Sequence, residues 1–357
     1  MSYAIAAAGT GGHVYPGLAI AEELVRRGVD KQDIVFIGGD RLEAKVYPEE
    51  GYPFLGLRLQ SLSRSLSVEN LRLPFVVRAA ARRARDELRS RGVKVVLGMG
   101  SYVTVPVGWA AHGLGIPLFL HEQNGKAGLA NKIMSRWAET TFVSFDETRG
   151  VWRSETVGTP VRRSFAAASR ADLRHVAFAR YGLDPGTVVV GVFGGSLGAG
   201  VLNAAAGSIA RSWDGPAISL LHLVGARNVD AIDTSGARVP WIVVGYEDAM
   251  EYFYVASDFV VSRAGGVAVA EIAATHTPSI LVPGLFGGGH QTSNAIAMER
   301  AGAAVYLPEE DISSLGSVVR MLVADPSGRR AMAKAAASVA RVDAADRIAT
   351  VLVSAHG

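Results

Sequence analysis

Three glycine-rich turns are the residues of this chain best suited to chemistry, each set between an apolar run and an amphipathic stretch. The first is Gly9-Thr-Gly-Gly-His-Val-Tyr-Pro16, after the run Tyr3–Ala8 and before a helix that Pro16 would start and Gly28 end. The second is Gly194-Gly-Ser-Leu-Gly-Ala199, between Val188–Phe193 and a helix through Val201–Ile209. The third, Ser262-Arg-Ala-Gly-Gly266, leads into a helix carrying Glu271. Glycine lets a backbone pass close to a ligand, and the unpaired N–H groups of a helix start favour anions. Any one of these turns reads equally well as a tight strand-to-helix connection that binds nothing. Three of them at the carboxyl ends of predicted parallel strands point to a ligand site, because open α/β sheets bind there. The first two lack Gly-x-Gly-x-x-Gly spacing and no Gly-Lys-Ser/Thr is present, which argues against a dinucleotide dehydrogenase and a P-loop kinase.

The elements that must position these turns alternate short β-branched runs with longer amphipathic segments, the pattern of a doubly wound parallel sheet. Strands are expected at Tyr3–Ala8, Ile34–Ile37, Val93–Leu97, Leu118–His121 and Thr141–Ser144, and the pattern then restarts. Its second round is Val188–Phe193, Leu220–Val224, Trp241–Val244, Phe259–Ser262 and Ile280–Val282. Val157-Gly-Thr-Pro-Val-Arg162 carries the breakers of a linker. The expected organisation is two α/β domains, 1–160 and 161–337. A final Ala-rich helical segment, Pro326–Val353, is expected to bring residues 338–357 back onto the first domain.

Bulk properties agree. A chain of 357 residues exceeds one ordinary core, and 49% hydrophobic with 19% charged residues indicates a folded protein. The absence of cysteine rules out a disulfide scaffold, a thiolate zinc site and a cysteine nucleophile. The remaining histidines lack metal-ligand spacing, so no metal site is expected. The start lacks a basic n-region, and no uncharged apolar run approaches the roughly 18–20 residues of a membrane span, so a cytoplasmic protein with at most peripheral membrane contact is expected. Net charge is only +3, but Arg72, Arg78, Arg82, Arg83, Arg85, Arg89 and Arg91 cluster near Leu71, Leu73, Phe75 and Val76. That pairing suits either a solvated surface helix or an anionic membrane surface over the Leu71–Arg91 region. No aromatic residues interleave with the arginines as stacking on nucleic acid requires, so nucleic acid is not an expected partner.

These turns occur in one order with Gly98-Met-Gly-Ser-Tyr-Val-Thr-Val-Pro106, His121-Glu-Gln-Asn-Gly-Lys-Ala-Gly-Leu-Ala-Asn131 and Gln291-Thr-Ser-Asn294. In that order and spacing the chain resembles the MurG glycosyltransferases, from about Tyr3 to Leu307, most specifically in the His121–Asn124 segment. The resemblance implies a GT-B fold, two Rossmann-like domains facing a central cleft. It implies inverting transfer of N-acetylglucosamine from UDP-N-acetylglucosamine to lipid I, forming lipid II in peptidoglycan synthesis. It places Glu271 on the ribose hydroxyls, and Ser196 with Gly195, Leu197 and Gly198 on the diphosphate. Arg162, Arg263 and Gly265 fall near the nucleotide, Tyr246 by the uracil and Gln291 on the sugar hydroxyls. His13, Tyr102, Asn124 and the Gly11–Gly12 amides match positions lining the cleft on the acceptor side, where Thr10, Gly11, Gly12 and Asn124 also reach the donor. The lipid-linked acceptor makes membrane contact an implied property and favours the membrane reading of the arginines.

Elementary chemistry is compatible with those roles. A carboxylate can accept two vicinal hydroxyls, although Glu271 reads also as a solvated helix glutamate. Arg162 is open between phosphate contact and an interdomain salt bridge, and Gln291 and Asn294 between ligand contact and helix capping. Backbone N–H groups at Gly194–Ala199 supply positive dipole where charge develops on the diphosphate. No cofactor is therefore required, and a divalent ion such as Mg²⁺ is compatible but not indicated. His13 is the candidate base or acceptor-orienting group, since an ordinary imidazole titrates near pH ~6.5; a structural ring bonded to a loop carbonyl is the competing reading. Glu122 is the alternative base, or a brace for its own loop. Ser101, Thr104-Val105 and Gly287-Gly-Gly-His290 depart from the family pattern and bear on acceptor and donor-sugar preference. Two other functions stay open: a GT-B enzyme acting on a different lipid or natural-product acceptor, and a non-catalytic nucleotide-sugar binder.

Overall fold

The computed structural model describes residues 2–57, 59, 73–195, 198–285 and 289–355. It divides into two compact units, Met1–Arg162 with Val342–Gly357, and Arg163–Arg341.

The first unit is built on β1 (Tyr3–Ala6), β2 (Ile34–Gly38), β3 (Phe54–Gly56), β4 (Val95–Gly98), β5 (Leu118–Glu122), β6 (Thr140–Val143) and β7 (Ser154–Thr156). Between them run α1 (Gly11–Arg26), α2 (Glu43–Glu49), α3 (Leu73–Ser90), α4 (Thr104–Leu114) and α5 (Leu129–Met134). The sheet order is β3-β2-β1-β4-β5-β6-β7, parallel at every pairing. Alternation along β1 and the two residues after it sorts side chains between two buried faces: Tyr3, Ile5 and Ala7 on one, Ala4, Ala6 and Ala8 on the other.

The second unit opens with α6 (Arg163–Ala166) and α7 (Arg170–Tyr181). Its strands are β8 (Val188–Phe193), β9 (Ile218–Leu223), β10 (Trp241–Val244), β11 (Phe259–Ser262), β12 (Ser279–Leu281) and β13 (Ala304–Tyr306). Its remaining helices are α8 (Gly200–Ser212), α9 (Met250–Ala256), α10 (Gly266–Ala274), α11 (His290–Arg300), α12 (Leu315–Ala324) and α13 (Pro326–Val339). The order is β10-β9-β8-β11-β12-β13, again all parallel. In each sheet the strand order reverses once, between β1 and β4 and between β8 and β11. The turns that follow those four strands flank the crevice where open α/β sheets take ligands.

Three expectations change. The final helical segment is two helices, because Ala340 turns extended (φ −63°, ψ 134°) after α13. The chain then enters α14 (Ala344–Ser354), whose Ile348, Ala349 and Leu352 bury against the first unit's core beside α1. Burying the Ile348 and Leu352 side chains stabilises that return by about 1.5–3 kcal/mol each. The helix expected from Pro16 starts at Gly11, with Pro16 inside its second turn. The third change is the addition of β3, β7 and β13, each three residues long and each at a sheet edge.

Candidate active site

In the first unit, α1 begins directly after the first glycine turn, so His13 sits in the helix's first turn rather than in a loop. The Thr10 carbonyl accepts His13 N–H at 3.1 Å and Val14 N–H at 3.3 Å. Thr10 makes no side-chain cap, which leaves the first-turn amides of Gly11 and Gly12 outside the helix's own ladder. Gly9 adopts φ +100°, a conformation that favours glycine, and its N–H donates to Glu43 Oε2 at 3.0 Å. The other oxygen of Glu43 accepts from Gly39 N–H at 2.9 Å. Glu43 is fully buried, so one carboxylate clamps the turn after β1 to the turn after β2. Tyr102 lies against that clamp: a Cβ on Gly39 would stand 2.0 Å from its phenolic oxygen.

Glu122, at the end of β5, is also buried and takes four donors. They are Asn124 N–H (3.1 Å), Asn124 Nδ2 (3.2 Å), Gly128 N–H (2.9 Å) and Asn131 Nδ2 (3.0 Å). With its lone pairs so engaged, Glu122 braces the 121–131 loop. Burial pulls the His13 pKa below its ordinary value, with the charges of Glu122 and Glu43 pulling the other way. Its Nδ1 has no hydrogen-bond partner among the described residues, so the competing reading of a ring bonded to a loop carbonyl finds no support at that nitrogen. That role belongs to His121, whose Nε2 is 2.9 Å from the Gly158 carbonyl and whose pKa burial lowers to about 4. The Ser101 and Thr104 hydroxyls and Asn131 Oδ1 are likewise buried without a partner among the described residues. Arg162 belongs to this unit, half-buried; its charge favours the ionised form of α1's Glu22, whose pKa burial raises.

In the second unit, the turn after β8 is shaped by close packing. A Cβ on Gly194 would lie 2.4 Å from Ala199 N, and one on Gly198 would lie 2.1 Å from the Val224 carbonyl oxygen. Gly195 and Gly198 also carry positive φ, +91° and +75°. Ser196 and Leu197 lie outside the described residues. Glu271 sits in the second turn of α10, partly exposed, and its Oε2 accepts Tyr254 Oη–H at 2.9 Å. Gly265 precedes the helix with extended backbone. Gln291 Oε1 accepts Gly284 N–H at 2.8 Å, and buried Asn294 donates to the Ala264 carbonyl at 2.9 Å, so each ties a loop rather than capping α11. Tyr246 is exposed beside Glu247, which is buried and held by Arg180 (2.7 Å), Tyr181 Oη (2.6 Å) and Ala249 N–H (2.9 Å).

Arg263 is largely buried: its guanidinium pairs with Glu309 and donates to the Val282 carbonyl at 3.1 Å. A buried guanidinium needs such partners, and the ion pair supplies them. Sequence reasoning missed Glu43, Glu247 and Tyr254. Glu43 follows β2 by a few residues, so its place at a strand's carboxyl end was the available signal.

In the first unit, α3 buries Ala80, Ala84 and Leu88 and exposes Arg78, Arg82, Arg85 and Arg89. Phe75 is 76% exposed on the same helix, and exposed Trp109 lies on the neighbouring α4. Leu71 and Arg72 lie outside the described residues.

Residues 3–143 match the glycosyltransferase family 28 N-terminal domain, and residues 189–348 match the family 28 C-terminal domain. The chain is 36% identical, over 99% of its length and 95% of the relative's, to UDP-N-acetylglucosamine–N-acetylmuramyl-(pentapeptide) pyrophosphoryl-undecaprenol N-acetylglucosamine transferase of Nocardia farcinica. Identity to the transferase of the same name in Mycolicibacterium smegmatis is also 36%, over 98% of this chain and 93% of that one. Among solved structures, Acinetobacter baumannii MurG superposes with a TM-score of 0.76 at 25% identity, covering 99% of this chain and all of that one.

Proposed function

Because the chain belongs to glycosyltransferase family 28, and within it to the MurG transferases, we propose that it moves N-acetylglucosamine from UDP-N-acetylglucosamine to lipid I, giving lipid II. Its two parallel-sheet units are those of the GT-B fold. One observation carries the mechanism. The second unit holds a glycine turn of forced geometry and a ribose-suited carboxylate, and the first a half-buried imidazole whose Nδ1 has no partner among the described residues.

In the second unit, the amides of the 194–199 turn and of the start of α8 receive the donor diphosphate, and Glu271 receives the ribose hydroxyls. Tyr246 covers the uracil edge and Gln291 the sugar hydroxyls. In the first unit, neutral His13 accepts the proton of the attacking acceptor hydroxyl, and Asn124 and Tyr102 orient that acceptor. The new bond forms at the anomeric carbon as the bond to the UDP oxygen breaks, its electron pair leaving on the β-phosphate. Single displacement converts the α-linked donor to a β-linked product. Fixed backbone dipoles meet the charge that develops on the leaving group, the arrangement by which preorganised sites lower barriers, and no metal is assigned a step.

Lipid I is membrane-borne, and the arginine face of α3 with Phe75 and Trp109 suits the cytoplasmic surface of an anionic bilayer. Among the described residues no helix is long and apolar enough to cross a membrane, so this reading makes the contact peripheral.

The test is direct. Labelled UDP-N-acetylglucosamine incubated with the protein and a lipid I analogue should give labelled lipid. Tight UDP binding without label in that lipid would sink the acceptor assignment and leave the other two readings.

A further inference from the structure

We infer that Tyr254 is a positioning residue for the donor: its phenol aims the Glu271 carboxylate at the ribose and ties it to the root of the phosphate turn. The inference rests on the donor reading given above and names a side chain through which that reading works.

Tyr254 lies in α9 with no exposed surface. Its ring packs edge-on against Phe193 at a centroid distance of 5.7 Å and an interplanar angle of 84°. Phe253 stands at 5.9 Å and Phe165 at 6.0 Å, both also edge-on. Such contacts fix the direction of the C–O bond. Phe193 is the last residue of β8, and Gly194 opens the phosphate turn immediately after it. At the ring's other end the hydroxyl donates to Glu271 Oε2 at 2.9 Å. One rigid side chain therefore spans from the base of the phosphate turn to the ribose carboxylate.

The chemistry of the pair explains why a tyrosine serves. A glutamate on an exposed helix turn has three rotatable bonds, and a vicinal diol is held well only by a carboxylate in one orientation. A carboxylate offers about four acceptor sites, so the phenol fixes it and leaves capacity for two hydroxyls. Burial and the charge of Glu271 push the Tyr254 pKa well above its ordinary value, so the phenol stays a donor wherever the enzyme works. Packing alone would be met as well by phenylalanine; the hydroxyl is what the carboxylate requires.

The test compares UDP with 2′-deoxy-UDP by titration calorimetry on the full chain. The wild-type protein should prefer UDP. Tyr254→Phe keeps the ring and its aromatic contacts and should bind UDP about tenfold more weakly, the loss expected for a hydrogen bond to a charged group. Its affinity for 2′-deoxy-UDP should stay within about twofold, on the same scale, so that the preference collapses. Equal weakening for both nucleotides would mean a merely structural role and would overturn the inference, as would an unchanged preference. Glu271→Ala separates the levels. Loss of the preference in Glu271→Ala but not in Tyr254→Phe refutes the positioning role. A preference that survives Glu271→Ala refutes the ribose assignment beneath it.

Discussion

The two units present glycine turns at equivalent places in similar sheets, yet they hold them by opposite means. In the first unit, buried carboxylates grip the backbone: Glu43 takes the amides of Gly9 and Gly39, and Glu122 those of Asn124 and Gly128. In the second, the turn is set by contact, with Gly194 and Gly198 packed where no Cβ fits and both Asn203 and Asn228 donating to the Val224 carbonyl, at 3.1 and 2.8 Å. The difference follows the charge each half must handle. On the proposed reaction, burial favours the neutral His13 ring that must take the proton, and the charges of Glu122 and Glu43 favour the imidazolium it becomes. Glycine amides at a helix start support a group that gains negative charge as UDP departs.

The largest effect should come from removing a carboxylate grip. Glu43→Ala would leave two amides without their acceptor, at about 1–3 kcal/mol each, so the first unit should lose roughly 4 kcal/mol in denaturant unfolding. Glu271→Ala, at a partly exposed carboxylate, should cost far less. Comparable losses in the two variants would erase the contrast.

Gly198→Ala probes the other mode. Positive φ and a 2.1 Å approach to the Val224 oxygen leave no room for a methyl group. The expected cost is about 3 kcal/mol, with UDP affinity falling alongside stability. Unaltered UDP binding in a folded Gly198→Ala protein would show that the turn is not the phosphate cradle.

In acid the two units should behave alike. Each holds one fully buried histidine whose pKa burial lowers to about 4: His121 in the first, and in the second His222, which Asn203 and Trp241 flank. The unfolded chain takes up protons near pH ~6.5 while the native rings remain neutral, so stability is whole above that pH and falls towards pH ~4. Between pH 7 and 5 the loss should be about 2 kcal/mol per histidine, read from urea midpoints. A flat profile over that range would contradict the neutral, buried state of both rings.

The smallest effect concerns α3. Reversing Arg82 or Arg89 to Glu should weaken binding to anionic vesicles at least about fivefold per site while leaving UDP affinity unchanged. Equal binding to neutral vesicles would count against the membrane assignment.

What could be read from sequence follows from where each signal lives. Interior strands such as Val188–Phe193 and Phe259–Ser262 appear at their expected limits, because a strand buried on both faces is a short apolar run rich in valine and closed by a glycine-rich turn. Phe54–Gly56, Ser154–Thr156 and Ala304–Tyr306 are edge strands too short to show a period, and pairing with a neighbour defines them. The break at Ala340 sits in good helix-forming sequence, and the packing of Ile348 and Leu352 on the first unit accounts for the chain's departure there. Glycine turns announce themselves by composition. Glu43 and Tyr254 do not: one reads as a surface glutamate near Glu49 and Glu50, the other as one more core aromatic beside Phe253. Their roles depend on partners 34 and 17 residues away.

The division of labour between the units is best tested by measuring UDP affinity and turnover together in His13→Ala and Glu271→Ala. His13→Ala should bind UDP as the wild type does while kcat falls by about 10²–10⁴, the range for loss of a general base. Glu271→Ala should weaken UDP binding first. Turnover left intact by His13→Ala, or UDP affinity left intact by Glu271→Ala, would contradict the account.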